Sequence, residues 1–324
     1  MIKKTALVSI LGAPNAGKST LLNQVIGQKI SIVTPKVQTT RSIIKGIYTK
    51  DETQLVFLDT PGIFNPQKNL EKAMVRNAWS SLAGADIICI LIDLNDKKTF
   101  KTEFEKILKH ISNLNTHKII IFNKVDKLKG AAKKYSNFFK AQDLKKDDIS
   151  KLNFPEETRE KLDTILEMFK DEDFIFISAR ENINIDNLLA RLSSIAPQGE
   201  WLYAEDEITT APMRFLSSEI TREQLFLTLS DELPYNLTVE TESWEQISEE
   251  EVKIYQNIIV NREAHKKIIL GKGGQKIKDV SMKSRILISR NLGLKIHLFL
   301  FVKVREDWDN KSIYYNNMGL SLIK

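Results

Sequence analysis

The sequence predicts an α/β protein: a doubly wound sheet in its first domain and a smaller α+β domain after it. Over residues 1–196, short apolar runs alternate with segments in which apolar residues recur at helical spacing, which is typical of a doubly wound fold. A glycine-rich loop, GAPNAGKS, follows the first apolar run. The pattern changes around Pro197 and Gly199, and a chain of 324 residues has room for two domains.

The first domain, residues 1–197, is predicted to contain six strands separated by helices. The apolar runs that predict the strands cover residues 7–11, 43–48, 55–58, 87–92, 118–122 and 174–177. Helices are predicted directly after the glycine-rich loop and around residues 70–82, 100–111, 157–169 and 185–195. The lysine-rich stretch 127–151 indicates loop or solvated helix surface. Because such sheets bind ligands at the carboxyl ends of their strands, we expect the site there.

The second domain is predicted over residues 213–308, after a linker at 198–212 and before a C-terminal tail at 309–324. Its elements follow the order α-β-β-α-α-β. A helix is predicted at 213–229, and strands are predicted at 237–242 and 253–260. A short helix, the loop 271–274, a second helix to about 292 and a strand at 295–304 follow.

Charge is distributed unevenly along this chain, whose formal net charge is +6. Residues 262–305 carry twelve Lys or Arg against Glu263 and Asp279. Residues 205–251 carry thirteen acidic residues against Arg214 and Arg222. The reversal favours a polyanion-binding face beside one that repels polyanions, although solvated faces of unrelated helices would give the same counts.

Composition and cysteine usage predict a cytoplasmic protein. The chain is 42% hydrophobic and 28% charged, which is ordinary for a soluble protein with a core. Its single cysteine, Cys89, lies within an apolar run and excludes both an intramolecular disulfide and a cysteine metal site. No apolar run is long enough to span a bilayer, and the apolar stretch near the start leads into the glycine-rich loop rather than a cleavage site.

The loop GAPNAGKS matches the phosphate-loop pattern G-x-x-x-x-G-K-[ST] at every fixed position. Its glycines allow successive backbone N–H groups to point at a phosphate from the start of a helix. Lys18 is predicted to reach the β- and γ-phosphates, and Ser19 to bind Mg²⁺. The nucleotide-binding residues predicted in this loop are Gly12, Ala13, Pro14, Asn15, Ala16, Gly17, Lys18 and Ser19.

A second motif, Asp-Thr-Pro-Gly, follows the predicted strand at 55–58. Asp59 is predicted to hold the Mg²⁺, and the backbone N–H of Gly62 to reach the γ-phosphate. The nucleotide-binding residues predicted here are Asp59, Thr60, Pro61, Gly62 and Ile63.

Two further motifs identify the base as guanine. Asp126 can accept hydrogen bonds from guanine N1 and N2, and leaving this carboxylate unsatisfied would reject ATP. The stem of Lys124 can cover the base, and Asn123 can tie this loop to the phosphate loop. A backbone N–H after the strand at 174–177 can meet the guanine O6. The predicted contacts are Asn123, Lys124, Val125, Asp126, Ser178 and Ala179.

These motifs together resemble the translation-factor-like GTPases, which implies GTP and GDP as ligands with Mg²⁺. The stretch QTTR at 38–41 is similar to their switch I motif and implies Thr40, or else Thr39, as a Mg²⁺ ligand. Ile63 stands where Ras-like enzymes place a water-orienting glutamine. Related members use a monovalent cation held partly by the asparagine at the position of Asn15, although this residue also suits a plain turn. The resemblance therefore implies slow hydrolysis stimulated by potassium or by a partner. The catalytic residues implied are Asn15, Lys18, Thr40 and Gly62.

The stretch IILGKGGQKI at 268–277 resembles the GXXG loop of a KH domain, and the order of elements matches the type II arrangement. A helix–turn–helix with a terminal glycine would give the same sequence pattern, but the basic segment 262–305 favours RNA binding. Gly271 and Gly274 allow two helices to approach a nucleic-acid backbone, while lysines neutralise its phosphates. The predicted RNA-binding residues are Lys267, Ile268, Ile269, Gly271, Lys272, Gly273, Gly274, Lys276 and Lys278.

A phosphate-loop GTPase domain followed by a type II KH domain resembles the Era family of bacterial GTPases over nearly the whole chain. Further stretches that carry the resemblance are SEITRE at 218–223, LPY at 233–235 and VKVREDW at 302–308. The segment 133–151 is longer and more charged than is usual in that family. The resemblance implies binding to the 3′ end of 16S ribosomal RNA, maturation of the small (30S) ribosomal subunit and loose attachment to the inner membrane. We expect a monomer.

Two alternatives remain open at this point. In the first, the chain is an RNA-binding assembly protein whose nucleotide is mainly structural, and RNA affinity would then be equal in the GTP and GDP states. In the second, it is a tRNA-modifying GTPase, which would need a characteristic C-terminal cysteine. Cys89 lies in the wrong place for that role.

Overall fold

The structure, a computed structural model, describes residues 2–37, 39–64, 66–96, 103–128, 149, 154 and 156–321. The chain forms two compact units, and both are discontinuous in sequence. The first unit consists of Met1–Gly27, Ser42–Gln67 and Met74–Thr210. The second consists of Gln28–Arg41, Lys68–Ala73 and Ala211–Lys324.

A six-stranded sheet with the order β2-β3-β1-β4-β5-β6 forms the centre of the first unit. Its strands are β1 (Lys4–Gly12), β2 (Ile44–Lys50), β3 (Thr53–Asp59), β4 (Ile87–Asp93), β5 (His117–Asn123) and β6 (Asp173–Phe176). All neighbouring strands run parallel except β2, which pairs antiparallel with β3. A two-residue turn joins this pair, and Asp51 in it has a φ of 50°, as tight hairpins require.

Among the described residues, four helices connect these strands and a fifth, α5 (Ile185–Ile195), follows β6. The four are α1 (Lys18–Ile26), α2 (Asn69–Ser80), α3 (Glu103–Ser112) and α4 (Glu156–Met168). Helices α3 and α4 bury Leu108 and Leu162 in one core cluster with Ile90 and Phe122 of the sheet. Helices α1 and α5 contact β3 instead. The predicted doubly wound fold is confirmed. The first residues of the helix predicted at 100–111 and most of the stretch 127–151 lie outside the described residues.

The second unit contains a three-stranded sheet with the order β7-β8-β9. Its elements are α6 (Met213–Thr228), β7 (Leu237–Ser248), β8 (Glu251–Val260), α7 (Glu263–Leu270), α8 (Gln275–Leu292) and β9 (Lys295–Val304). Strands β7 and β8 are antiparallel, whereas β8 and β9 are parallel. The predicted order α-β-β-α-α-β is therefore present, with Leu225, Ile258, Ile269 and Val280 in one core cluster.

Residues that follow this sheet, which were expected to form a tail, are folded. A 3-10 helix at Trp308–Asn310 leads into α9 (Ser312–Asn317). Trp308 and Tyr315 are fully buried, and the Tyr315 hydroxyl donates to the Asp309 carbonyl at 2.7 Å. Burying two aromatic side chains of this size makes the segment part of the second unit's core.

The predicted linker pairs with strands of the first unit. The Gly199 N–H donates to the Lys3 carbonyl at 3.1 Å, and the Ile47 N–H donates to the Ile208 carbonyl at 2.9 Å. The N–H of Leu202 donates to Gln54 Oε1 at 2.9 Å. Up to Thr210, the connection is thus held as part of the first unit. Within the described ranges, no helix combines the length and the apolarity needed to cross a membrane.

Candidate functional site

The phosphate loop of the first unit runs from the end of β1 into α1, and two of its glycines are required sterically. Gly17 has a φ of 105° and precedes the first residue of α1. A Cβ at this position would lie 2.3 Å from Asn123 Nδ2, and a Cβ on Gly12 would lie 2.5 Å from the Leu91 carbonyl oxygen. The loop therefore packs closely against the ends of β4 and β5, and only glycine fits at these two positions.

Lys18 occupies the centre of this loop with only 6% of its surface exposed. Its Nζ donates to the carbonyl oxygens of Gly12 at 3.1 Å and Ala13 at 3.0 Å. Burial lowers the pKa of Lys18 to about 8, and the charge of Asp59 opposes this shift. A buried cation held mainly by backbone carbonyls is suited to an anionic ligand, because a phosphate would supply the missing countercharge.

Ser19 and Asp59 meet at the start of α1. The Ser19 hydroxyl donates to Asp59 Oδ2 at 2.7 Å, and Asp59 is fully buried at the end of β3. The next residue, Thr60, donates its hydroxyl to the Ile10 carbonyl at 2.8 Å. A hydroxyl and a carboxylate oxygen beside a phosphate-binding loop are the hard oxygen ligands that Mg²⁺ prefers, so these residues fit that ion.

Gly62 lies directly against the phosphate loop. A Cβ there would approach the Pro14 nitrogen to 2.8 Å, which makes this another position that only glycine fills. The N–H of Ile63 donates to the Gly12 carbonyl at 3.3 Å, and the Ile63 side chain is buried in the core. An apolar side chain in the core can neither donate nor accept a hydrogen bond, so it cannot orient a water molecule.

Asn123 joins three loops of the site. Its Nδ2 donates to the Ala16 carbonyl in the phosphate loop at 2.8 Å. Its Oδ1 accepts from the Ala179 N–H at 3.0 Å. The predicted tie between this loop and the phosphate loop is thus present in the structure, and it extends to the loop after β6.

Lys124 and Asp126 follow on the same loop. Lys124 has a φ of 63°, and its Nζ donates to the Asn15 carbonyl at 2.6 Å and pairs with Asp93 at 2.8 Å. Asp126 accepts a hydrogen bond from the Ser178 hydroxyl at 2.5 Å, while Val125 is buried beneath. One oxygen of this carboxylate is therefore held by the loop after β6.

Asn15, the residue expected to help hold a monovalent cation, adopts a φ of 63°. Its backbone carbonyl accepts the bond from Lys124, so the phosphate loop and the loop after β5 are linked at this residue. Left-handed backbone geometry is tolerated by asparagine better than by most residues. This observation also agrees with a plain turn role for Asn15.

Thr39 and Thr40 belong to the second unit, as part of Gln28–Arg41. The Thr39 hydroxyl lies 2.7 Å from that of Thr34 and donates to the Lys36 carbonyl at 2.9 Å. The Thr39 carbonyl accepts from Arg222 Nη2 at 2.6 Å. Gln38, the first residue of the predicted switch I motif, lies outside the described residues.

The GXXG loop joins α7 to α8 in the second unit. Gly271, Gly273 and Gly274 all have positive φ values, of 72°, 60° and 77°. A Cβ on Gly271 would lie 2.7 Å from Lys276 Cβ, whereas nothing lies within 4 Å of a Cβ on Gly273 or Gly274. The first glycine is thus needed for the close turn, and the other two leave an open surface that a nucleic-acid backbone can approach.

The side chains around this loop differ in accessibility. Lys267, Lys272 and Lys278 are exposed and Lys276 is half-buried. Ile268 is 49% exposed, but Ile269 is only 1% exposed and packs in the core with Val280. Ile269 therefore supports the loop from below rather than offering a surface to RNA.

Comparisons with known proteins cover both units. A family described as 50S ribosome-binding GTPase matches residues 7–124, and one described as KH domain matches residues 232–309. GTPase Era of Rickettsia conorii is 50% identical over 318 residues, which cover 98% of this chain and 86% of that protein. GTPase Era of Bradyrhizobium diazoefficiens is 40% identical over 325 residues, covering 99% and 96%.

Two solved Era structures have the same fold over nearly their whole length. One is Era in complex with MgGDPNP and nucleotides 1506-1542 of 16S ribosomal RNA; it has a TM-score of 0.83 and 34% identity and covers 98% of this chain and 99% of that chain. The other is an Aquifex aeolicus Era variant bound to GDP.AlF4-, with a TM-score of 0.83, 33% identity and the same coverage.

Proposed function

The chain belongs to the GTPase Era family, and on this premise we propose that it is a GTP-hydrolysing switch that binds the 3′ end region of 16S ribosomal RNA. In this role it assists 16S RNA processing and assembly of the small (30S) ribosomal subunit. One observation carries the proposal: the unit with the GXXG loop also contains Gln28–Arg41, the segment that includes the proposed Mg²⁺ ligand Thr40. A change in that segment therefore occurs within the RNA-binding unit itself.

The nucleotide is held by the residues that surround Asn123. Residues 12–19 bind the phosphates through their N–H groups and Lys18, and Asp126 selects guanine through N1 and N2. Ser19, Asp59 and Thr40 are proposed to hold Mg²⁺, which neutralises charge on the phosphate oxygens when bound. The Gly62 N–H, placed against Pro14, is positioned to donate to the γ-phosphate.

Hydrolysis is proposed to be slow and to depend on potassium or on a partner. Ile63 lies in the core and cannot orient the attacking water, so the chain itself lacks that function at this position. Asn15 is the proposed cation ligand. We expect faster GTP hydrolysis in potassium than in sodium for the wild type and not for Asn15→Ala. Equal rates in both salts for both proteins would rule out the cation and leave a partner as the stimulus.

The RNA is proposed to bind at the loop between α7 and α8. Exposed Lys267, Lys272 and Lys278 neutralise phosphates, and half-exposed Ile268 lines the adjoining apolar surface. The open space beside Gly273 and Gly274 allows close approach of the RNA backbone.

The test of the switch is whether RNA affinity depends on the bound nucleotide. RNA carrying nucleotides 1506–1542 of 16S ribosomal RNA is titrated against protein loaded with either GDPNP or GDP, each with Mg²⁺. We expect affinities that differ by at least about tenfold, since a coupling of 1–3 kcal/mol is typical of such switches. Equal affinities would favour the second candidate, an RNA-binding assembly protein whose nucleotide is mainly structural.

The proposed function also includes a cellular location, an oligomeric state and limits for the two domains. We propose a cytoplasmic monomer that attaches loosely to the cytoplasmic face of the inner membrane. The GTP-binding domain is proposed to cover residues 1–197 apart from Gln28–Arg41 and Lys68–Ala73, which belong to the second unit. The RNA-binding domain is proposed to cover 213–308, with the folded residues up to Asn317 attached to it. Light scattering tests the monomer, and co-sedimentation with anionic vesicles at low and high salt tests the attachment.

A further inference from the structure

The stretch SEITRE in α6 belongs to neither the nucleotide site nor the GXXG loop, yet its charged side chains are buried. Arg222 is 1% exposed and Glu223 is 2% exposed. Charged residues are almost never buried to this degree unless they are paired or hydrogen-bonded. The hydrogen-bond and ion-pair partners of these two side chains, which lie in the same unit, therefore indicate the role of this part of α6.

Glu223 holds the middle of Gln28–Arg41 with both carboxylate oxygens. Oε1 accepts from the Val33 N–H at 2.9 Å, and Oε2 forms an ion pair with Lys29. A charge-assisted hydrogen bond to a backbone N–H is stronger than a neutral one, and the acceptor here is excluded from water. The carboxylate thus fixes two points of the segment, four residues apart.

Arg222 holds the end of the same segment. Its Nε and Nη2 donate to Glu219 at 2.8 and 2.5 Å, which fixes the plane of the guanidinium group. Nη2 also donates to the Thr39 carbonyl at 2.6 Å. Because this carbonyl and the Thr40 N–H share one rigid peptide plane, any rotation of that plane at Thr40 disturbs the bond to Arg222.

Two further side chains of the segment donate to backbone carbonyls of the second unit. Lys36 Nζ donates to Leu229 at 2.5 Å and also to Phe226. Arg41 donates to the carbonyls of Leu237 at 2.7 Å and Tyr235 at 3.2 Å. The segment is therefore attached at several points to α6 and to the start of β7.

One donor of Arg222 remains unused among the described residues: Nη1 is buried without a hydrogen-bond partner. A buried unsatisfied donor costs roughly 1–3 kcal/mol. A conformation of the segment that brings an acceptor to Nη1 would recover this cost, and such an alternative contact is what a switch element needs.

We propose that Arg222 and Glu223 are positioning residues that couple the conformation of Thr40 to the RNA-binding unit. The proposal rests on the function proposed above. When Thr40 changes its backbone orientation with the bound nucleotide, the Thr39–Arg222 bond and the Val33–Glu223 bond change with it, and α6 transmits the change to the sheet on which it packs. The nucleotide dependence of RNA affinity passes through these two side chains.

Three variants test this coupling in the full-length protein. Arg222→Lys keeps the charge but loses the planar two-nitrogen contact with Glu219 that orients the donor to Thr39, and Glu223→Gln keeps the shape but loses the ion pair. Lys29→Met removes the same ion pair from a partly exposed side chain, with little risk to folding. Glu249→Gln, on the exposed turn between β7 and β8, is the matched control.

For each protein, the affinity for the 1506–1542 RNA is measured with GDPNP and with GDP, together with GDP affinity and the unfolding midpoint. We expect the GDPNP/GDP ratio of RNA affinities to fall toward one in the Arg222 and Glu223 variants, while GDP affinity stays within about threefold, well inside a coupling of 1–3 kcal/mol. Lys29→Met should reduce the ratio partially, and the control should keep it.

The outcomes separate the two proposals. A wild-type ratio near one would overturn the proposed switch. A wild-type ratio of tenfold or more that persists in all three variants would overturn the role of Arg222 and Glu223 while leaving the switch intact. If the Arg222 or Glu223 variant unfolds, the result for Lys29→Met tests the proposal. An unchanged ratio of RNA affinities in folded Lys29→Met protein would contradict the coupling.

Discussion

Among single residues, Asn123 has the largest part in assembling the nucleotide site. One amide group donates to the Ala16 carbonyl and accepts from the Ala179 N–H, so both of its ends are used. Among side chains of this length only asparagine offers a donor and an acceptor on one rigid plane. The phosphate loop and the loop after β6 are therefore held at a fixed separation before any nucleotide arrives.

Replacing Asn123 by aspartate tests this role without changing the side-chain shape. Asn123→Asp loses the donor to Ala16 and places a carboxylate against a carbonyl oxygen, which costs about 1–3 kcal/mol. We expect GDP affinity to fall at least about tenfold, with a lower unfolding midpoint. The matched control is Asn113→Asp, which loses a comparable bond to Lys109 on the exposed surface. An equal effect of both substitutions would contradict the assignment.

Cys89 gives a second prediction for a single residue. Burial raises the pKa of this thiol from 9.0 to about 12. Between these values the unfolded chain releases a proton that the folded protein keeps, so stability falls as pH rises from 9 to 12, by at most about 1.4 kcal/mol per pH unit from this group.

Comparison of urea unfolding for the wild type and Cys89→Ala at pH 8 and pH 10 isolates that contribution. We expect the wild type to lose more stability than the variant over this interval. Below pH 9 a thiol reagent should label Cys89 only in unfolded protein. Rapid labelling under native conditions would show that the thiol is accessible and would contradict its burial.

Of the secondary-structure elements, the GXXG turn between α7 and α8 has the most direct consequence for RNA. Gly273 lies in open space with a positive φ, a conformation that aspartate tolerates better than most residues, so an acidic side chain fits there. The neighbouring Lys272 is exposed. Charge at this turn can thus be reversed without disturbing the packing of the helices.

The double substitution Lys272→Asp, Gly273→Asp should abolish RNA binding while leaving GTP affinity intact. Two negative charges replace one positive charge where the RNA backbone passes, so we expect a loss of at least about a hundredfold at physiological salt. The salt dependence of the residual binding should also be shallower. Lys50→Asp, on an exposed end of β2, serves as the control. Loss of GTP binding as well would indicate misfolding.

Most elements could be predicted from the sequence, and the exceptions have physical reasons. Apolar runs locate the ends of most strands to within three residues, because this signal is local, but β7 was predicted to end at 242 and continues to Ser248 with mostly polar, exposed side chains. The antiparallel direction of β2 and the folding of residues 309–320 depend on distant partners and leave no local pattern. Ile269 looks like the exposed side chains around it until the fold shows it in the core.

The candidate site also contains residues that could be predicted from the sequence and residues that could not. The motif residues from Gly12 to Ala179 are arranged at strand ends as the sequence predicts, and membership of the Era family is confirmed. Their roles in binding stay predictions. Arg222 and Glu223 were missed as functional residues, since charged residues in a helix usually face solvent. No local signal in the sequence distinguishes them, because two adjacent charged residues commonly lie together on the broad solvent face of an amphipathic helix.

In the whole molecule, coupling between the two ligands must act in both directions. If GTP raises the affinity for RNA by some factor, RNA raises the affinity for GTP by the same factor. The basic stretch 262–305 lies in the same unit as ten of the thirteen acidic residues of 205–251, so RNA is expected to be directed to one part of its surface and repelled from another.

This reciprocity is a quantitative prediction. The dissociation constants of GDPNP and GDP are measured with and without saturating 1506–1542 RNA. RNA should change the ratio of the GDPNP and GDP dissociation constants by some factor. We expect this factor to equal, within about twofold, the ratio of the RNA affinities measured with GDPNP and with GDP, as linkage requires. The Lys272→Asp, Gly273→Asp protein should show no shift. An RNA effect of the same size on both nucleotides would mean that RNA does not distinguish the two states.

The discontinuous second unit also limits how such a chain can be recombined. The GTPase and KH matches, residues 7–124 and 232–309, read as two separable modules. Yet the carbonyls that receive Lys36 and Arg41, and the carboxylate that receives the Val33 N–H, come from α6 and the residues that follow it. An unrelated KH domain grafted after Thr210 would leave those donors without acceptors. Exchange of the chain after Thr210 therefore requires a matching change in Gln28–Arg41.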